Sequence, residues 1–127
     1  MPKYQEAGSL LEINFSRKTK PRKWVIRMQL MPQYVFKKLP KLYSVENEKD
    51  PIVKCKFFLP MTKWHWYAME FDGEDTFFGF VVGDYNELGY FSLSELQSIE
   101  GPYGLKVERD MYFDSTPLSK VKALHER

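Results

Sequence analysis

Few residues in this chain offer chemistry. Cys55 is the sole thiol, and His65 and His125 are the only imidazoles. A closed structural zinc site needs about four such ligands, and neither Cys-x-x-Cys nor His-x-x-x-His spacing occurs, so no metal is expected. Asp72-Gly73-Glu74-Asp75 gathers carboxylates that would hold a divalent cation loosely, but it lacks the calcium-loop pattern, and a solvated acidic loop is the plainer reading. Ser92 and Ser94 lie near acids, yet no Gly-x-Ser-x-Gly elbow surrounds them. Ser92-x-x-Glu95 has instead the spacing of a capping box, in which the hydroxyl accepts from the amide three residues on and the carboxylate reaches back. His65 stands between Trp64 and Trp66 and reads as a packed or edge histidine. Cys55 shares a face with Val53, Phe57 and Leu59, alternating with Lys54 and Lys56, and reads as buried and inert. Glu108-Arg109-Asp110 reads as a structural ion pair on a strand. No phosphate-cradling glycine loop or dinucleotide fingerprint is present. No catalytic residue is assigned, and no cofactor is expected.

Charge is the second signal. The net charge of +2 hides ten Lys and Arg against two acids in residues 1–42, and nine against fifteen in residues 43–127. Five of the cations, Arg17, Lys18, Lys20, Arg22 and Lys23, form a basic arm. Between Trp64 and Leu105 there are eight acids and no Lys or Arg. Of these, Glu70, Asp72, Glu74, Asp75, Asp84 and Glu87 make a candidate acidic face among aromatics. A basic arm on an acidic body hints at a binding role, although solubility alone also produces such patches.

The elements that would position these residues follow from periodicity. Leu11, Ile13 and Phe15 alternate with polar residues, as do Trp24, Ile26, Met28 and Leu30, so the first thirty residues read as a hairpin with a basic tip. Pro32 suits the first turn of a short helix that Pro40 stops. A strand with one wet face is predicted over 53–59. Residues 64–71 and 76–82 are apolar on both faces and read as central, covered strands. Asn86-Glu87-Leu88-Gly89 reads as a turn, 93–99 as a short capped helix, and 105–113 as a last strand. Thr116-Pro117 reads as an N-cap with proline at the first position of a C-terminal helix. The expectation is a single α+β domain, an antiparallel β-meander of about five or six strands with short helices packed on it. Its parts are a basic hairpin extension, 1–30, and a core domain, 31–127.

From about Met31 to Val121 the chain resembles a family known only as domain of unknown function 2958. The matching stretches are Lys38-Leu39-Pro40-Lys41-Leu42-Tyr43, Lys56-Phe57-Phe58-Leu59-Pro60, Trp64-His65-Trp66-Tyr67, Glu70-Phe71-Asp72 and Phe77-Phe78-Gly79. They continue through Leu88-Gly89-Tyr90-Phe91-Ser92-Leu93-Ser94-Glu95-Leu96, Gly101-Pro102-Tyr103-Gly104-Leu105 and Glu108-Arg109-Asp110. The resemblance implies a small stand-alone accessory product of plasmids, phages and integrative elements. It brings no catalytic residues.

Absence of a long apolar run argues against a membrane span, and the single cysteine with a polar N-terminus points to the reducing cytoplasm. The expected function is a non-enzymatic binding module that meets a protein partner, such as a host defence component, through the acidic aromatic face. Nucleic-acid binding by arm 17–23 is the alternative, and an uncharacterised hydrolase stands third.

Overall fold

Two stretches with apolar residues on both alternating faces form the centre of the molecule. The computed structural model describes residues 29–126. In it His65–Phe71 forms β3 and Thr76–Val82 forms β4, as predicted. The other elements in chain order are α1 (Gln33–Phe36), β1 (Ile52–Val53), β2 (Cys55–Phe58), β5 (Asn86–Ser92), α2 (Leu93–Ser98), a 3-10 turn (Pro102–Gly104), β6 (Glu108–Arg109), β7 (Thr116–Pro117) and α3 (Leu118–Leu124). Five strands make one antiparallel sheet in the order β5-β4-β3-β2-β6, while β1 pairs with β7 beside it. This is the α+β meander with short helices.

Both faces of the sheet are covered, which is why β3 and β4 carry no polar side. On one face Phe57, Trp66, Phe71, Phe77 and Phe91 meet Met31, Val35 and Leu39 from the N-terminal side and Leu93 and Leu96 of α2. Phe77 stacks between Phe71 and Phe91 at centroid distances of 4.4 and 5.1 Å, a geometry that adds to the area buried. On the other face Val53, Tyr67, Met69, Phe80 and Val82 pack under Leu118 and Val121 of α3. Gly79 sits in the middle of β4 because a Cβ there would lie 1.8 Å from the Tyr67 carbonyl oxygen.

Several expectations change. The strand predicted over 53–59 breaks at Lys54, because β1 leaves the main sheet to pair with β7. Val53 therefore joins the face opposite Cys55, Phe57 and Leu59. Asn86–Gly89 is the first half of β5 rather than a turn, and the reversal falls earlier, where the Gly83 amide donates to the Tyr85 carbonyl. An edge strand tolerates the Asn and Gly that read as turn signals. The strand predicted over 105–113 shrinks to β6 and an isolated bridge between Glu100 and Lys106.

Thr116 does not cap α3, since its hydroxyl donates to the Asp114 carbonyl. The carboxylate of Asp50 does so instead, accepting from the amide and hydroxyl of Ser119 at 2.8 and 2.7 Å, which holds its pKa down. Arg109 is buried and donates to the carbonyls of Gln29 and Leu30 and to the Tyr34 hydroxyl, while Asp110 pairs with Lys56. The ion pair expected of this triplet thus runs from Asp110 to Lys56 on the neighbouring strand. The capping box at Ser92 is present in both directions.

The expected strand over 10–16 and the basic tip lie outside the described residues. Gln29 and Leu30, the end of the expected second strand, are not in a strand, and Leu30 is buried in the same core as Met31.

Candidate functional site

The six carboxylates expected to form one acidic face divide into two groups. Glu70 is only 2 % exposed. The register of β3 against β4 shifts between Ala68 and Glu70, and the Glu70 carboxylate accepts the amides of Tyr43 and Val45, each at 2.9 Å. It belongs to no surface. Asp72 accepts the amides of Glu74, Asp75 and Thr76 at 2.8–3.0 Å through one oxygen. Partial burial acts to raise its pKa, but these amides outweigh it and pull the pKa down. Asp75 holds the amide and hydroxyl of Ser94, both at 2.8 Å, and so ties the β3–β4 loop to the start of α2. Glu74, Asp84 and Glu87 are exposed. Glu74 and Asp84 lie beyond opposite ends of β4, about 23 Å apart at the usual strand rise. Asp84 pairs with Lys63 at 2.9 Å in solvent.

What the structure brings together instead is an edge. β5 is the outermost strand, and among the described residues no strand pairs with its outer side. Its register against β4 is unbroken over seven residue pairs. Leu88 and Tyr90, opposite Phe80 and Phe78, are 44 % and 56 % exposed. The rings of Phe78 and Tyr90 lie 5.0 Å apart. Tyr43, 62 % exposed, lies near enough to Tyr90 to raise the pKa of its hydroxyl. Tyr43 has φ 70°, a left-handed backbone rarely taken by bulky residues. The Glu70 carboxylate explains this, because it clamps the amides on either side of Ser44. Thus Glu70 bears on the site through the tyrosine it sets in place.

The edge also lacks the usual protection. Natural sheets blunt long edges with lysine, proline or a bulge, and β5 has none of these. Its single charge is Glu87, and Tyr85, 78 % exposed, precedes it in the turn.

At the turn end of β5 lies a second arrangement that local sequence reasoning missed. The two histidines, sixty positions apart, meet with ring centroids 5.1 Å apart, and the Tyr67 hydroxyl hydrogen-bonds His125 Nε2 at 2.6 Å. The Asn86 amide donates to the His125 carbonyl, tying the end of α3 to β5. His65 Nδ1 is buried without a partner, and burial, Lys56 and His125 push its pKa down to about 4. Burial, aided by Asp110, pushes Tyr67 up to about 12. Beside them a shallow depression of about 660 Å³ is lined by Phe80, Asp84, Tyr85, Glu87, Lys122 and His125. General acid–base work favours a pKa near the operating pH, and neither His65 nor Tyr67 has one. Cys55 is on the far face, its thiol pushed up to about 12 by burial. Among the described residues, no three His, Cys, Asp or Glu side chains gather as a metal site requires, and no helix is long and apolar enough to cross a membrane.

With this geometry in place, comparison with known proteins adds one finding. The model of the family described as "Protein of unknown function (DUF2958)" matches residues 27–125. The chain belongs to this family. No curated protein and no solved structure matches it. The DUF2958 match takes in Tyr43, Glu70, the whole of β5 and both histidines, whereas the basic arm 17–23 lies before it.

Proposed function

We propose that this DUF2958 protein is a binding module that takes an extended, basic segment of a partner protein along the outer edge of β5. One observation carries this reading: a seven-residue edge with exposed Leu88 and Tyr90, no lysine, and no cation anywhere from β3 through α2. Strand addition supplies main-chain hydrogen bonds, and alternate side chains give selectivity. Tyr43, Phe78 and Tyr90 supply aromatic area, while Glu87 and Asp84 attract cations and oppose a phosphate backbone. The acidic aromatic face expected from the sequence thereby narrows to this edge. A role as an accessory product of a mobile element, acting on a host defence component, rests on the family resemblance and fits a partner with a basic surface.

The test uses a synthetic peptide alternating lysine with valine, followed by fluorescence anisotropy at low salt. Saturable binding that disappears in Leu88→Lys/Tyr90→Lys, with an unchanged melting temperature, is the expected result. Equal binding by parent and double variant would remove β5 as the site. Tight binding of duplex DNA with none of the peptide would favour the arm 17–23 as a nucleic-acid contact instead.

A further inference from the structure

The hydrogen bonds at the two ends of β5 show which of its backbone groups turn outward. The Gly83 amide donates to the Tyr85 carbonyl, and the Leu93 amide to the Asp75 carbonyl. Antiparallel pairs alternate between bonded and non-bonded. Glu87, Gly89 and Phe91 therefore turn their amides and carbonyls to β4, while Asn86, Leu88 and Tyr90 turn theirs outward. Gly89 stands between the two exposed apolar residues, Leu88 and Tyr90. Its backbone is not left-handed, and among the described residues nothing lies within 4 Å of where a Cβ would be. Glycine inside a strand weakens it and marks places where another backbone comes close. We propose that Gly89 lies on the two-fold axis of a homodimer in which β5 of a second copy adds antiparallel to β5. Leu88 and Tyr90 of one copy then exchange main-chain hydrogen bonds with Tyr90 and Leu88 of the other. The inference rests on β5 being an open edge, as the reading above does, but not on a basic partner.

Self-complementarity selects this register. With the axis at Gly89, Leu88 lies beside Tyr90 of the second copy, whose ring already rests on its own Phe78. An apolar stripe of Phe80, Leu88, Tyr90 and Phe78 thus crosses the junction on each side of the axis. Glu87 comes opposite Phe91 and stays about 14 Å from its counterpart, farther than the screening length of about 8 Å. With the axis at Leu88, the two Glu87 would come to about 8 Å. With it at Tyr90, the Leu88 carbonyl would meet a Ser92 amide that Glu95 already holds. The opposite edge of the sheet, β6, has only two strand residues, so a head-to-tail pairing has no comparable strand to use. The remaining charges lie beyond the ends of β5. At the turn end, Asp84 and Glu126 are offset by Lys63 and Lys122. At the other end Asp75 and Glu95 hold amides, which leaves Glu46 and Glu74 exposed. Charge therefore does not drive the pairing, which should survive high salt, where attraction for a basic peptide is screened.

Disulfide cross-linking of the full-length protein tests the axis. Gly89→Cys has room for its side chain. Residues facing each other in a non-bonded pair lie about 4.5 Å apart at Cα, within disulfide reach. Glu87→Cys, about 14 Å from its counterpart, is the register control. The native Cys55 is buried, with its thiol pushed up to about 12, and stays silent. Mild oxidation should link Gly89→Cys into a covalent dimer several-fold faster than Glu87→Cys. Sedimentation velocity should show the parent passing from monomer to dimer with concentration, in low and high salt alike. Equal linking of the two variants would overturn the proposal, as would a parent that stays monomeric up to about 1 mM. Should Gly89→Cys fail to fold, Leu88→Lys/Tyr90→Lys sets lysine opposite lysine across the junction and should leave only monomer. Unchanged self-association in that double variant would overturn the proposal too. A linked dimer whose parent ignores the lysine–valine peptide would uphold this inference and remove the reading above. A peptide-binding parent that stays monomeric would do the reverse.

Discussion

The two ends of the sheet use their charged groups in opposite ways. At the β3–β4 loop, Glu70, Asp72, Asp75 and Glu95 all turn their oxygens onto backbone amides: Tyr43 and Val45, the loop 74–76, Ser94 and Ser92 respectively. At the β4–β5 turn, Asp84 and Glu87 face solvent, and the nearby imidazoles sit against Tyr67 and each other. The first end is fastened internally by carboxylates that a charge count reads as surface. The second keeps its carboxylates in solvent, Asp84 paired there with Lys63 and Glu87 exposed on the edge strand. Net charge per segment measures neither arrangement, because one buried carboxylate and one exposed carboxylate count alike.

The strongest way to break this contrast is to cut the Glu70 clamp. Glu70→Ala leaves two partly buried amides without their acceptor, at about 1–3 kcal/mol each. A loss of about 2–4 kcal/mol in urea unfolding is expected, together with weaker peptide binding as Tyr43 relaxes from its left-handed backbone. Parental stability in this variant would show that the clamp is not what fastens that end.

Acid probes the other end. The folded pKa of His65 is about 4, below the unfolded value of 6.5, so the unfolded chain binds the extra proton between those values. Stability should therefore fall as pH drops from about 6.5 towards 4, and His65→Gln should flatten that part of the profile. Lys56, Tyr67 and His125 face this group and stay in place in the variant. A parental slope in His65→Gln would assign the acid sensitivity elsewhere. Smaller still is the cap at the fastened end. Ser92→Ala should cost about 0.5–2 kcal/mol, because the Glu95 amide loses its acceptor. An unchanged denaturant midpoint would deny the capping box any role in stability.

Legibility in the sequence followed the range of the interaction. The capping box lies within four consecutive residues, and the doubly apolar pattern of β3 and β4 lies within each strand, so both were readable. Cys55 was readable from alternation alone. Val53 was not, because its parity depends on β1 pairing with Thr116–Pro117 far along the chain. Asn86 and Gly89 carry turn signals that an edge strand accommodates, and only the strand order reveals that β5 is an edge. Glu70 was singled out as a residue and misread in its role, since its partners lie twenty-seven and twenty-five positions upstream. The meeting of His65 with His125 has no local signature at all.

The smallest effect on stability should come from the open end, and there the comparison is at its sharpest. Asp84 and Glu87 are exposed, and the one ion pair between them and the described residues, Lys63–Asp84, lies in solvent, where such pairs contribute about 0–1 kcal/mol. Asp84→Asn/Glu87→Gln should therefore leave the urea midpoint within about 0.5 kcal/mol of the parent. Binding should respond differently. Removing two carboxylates beside the edge weakens the field that steers a cationic segment towards it, and freeing Lys63 adds repulsion. Stopped-flow association of the lysine–valine peptide should slow by about two- to tenfold at low salt, with dissociation nearly unchanged. At high salt the parent and the double variant should converge, because screening removes the term that distinguishes them. Carrying the same kind of neutralisation to the fastened end, as Asp75→Asn, should reverse the pattern: a stability loss from the weakened hold on Ser94, and little change in association rate. If instead both variants altered stability alike and association not at all, the division between fastened and open carboxylates would have no functional content.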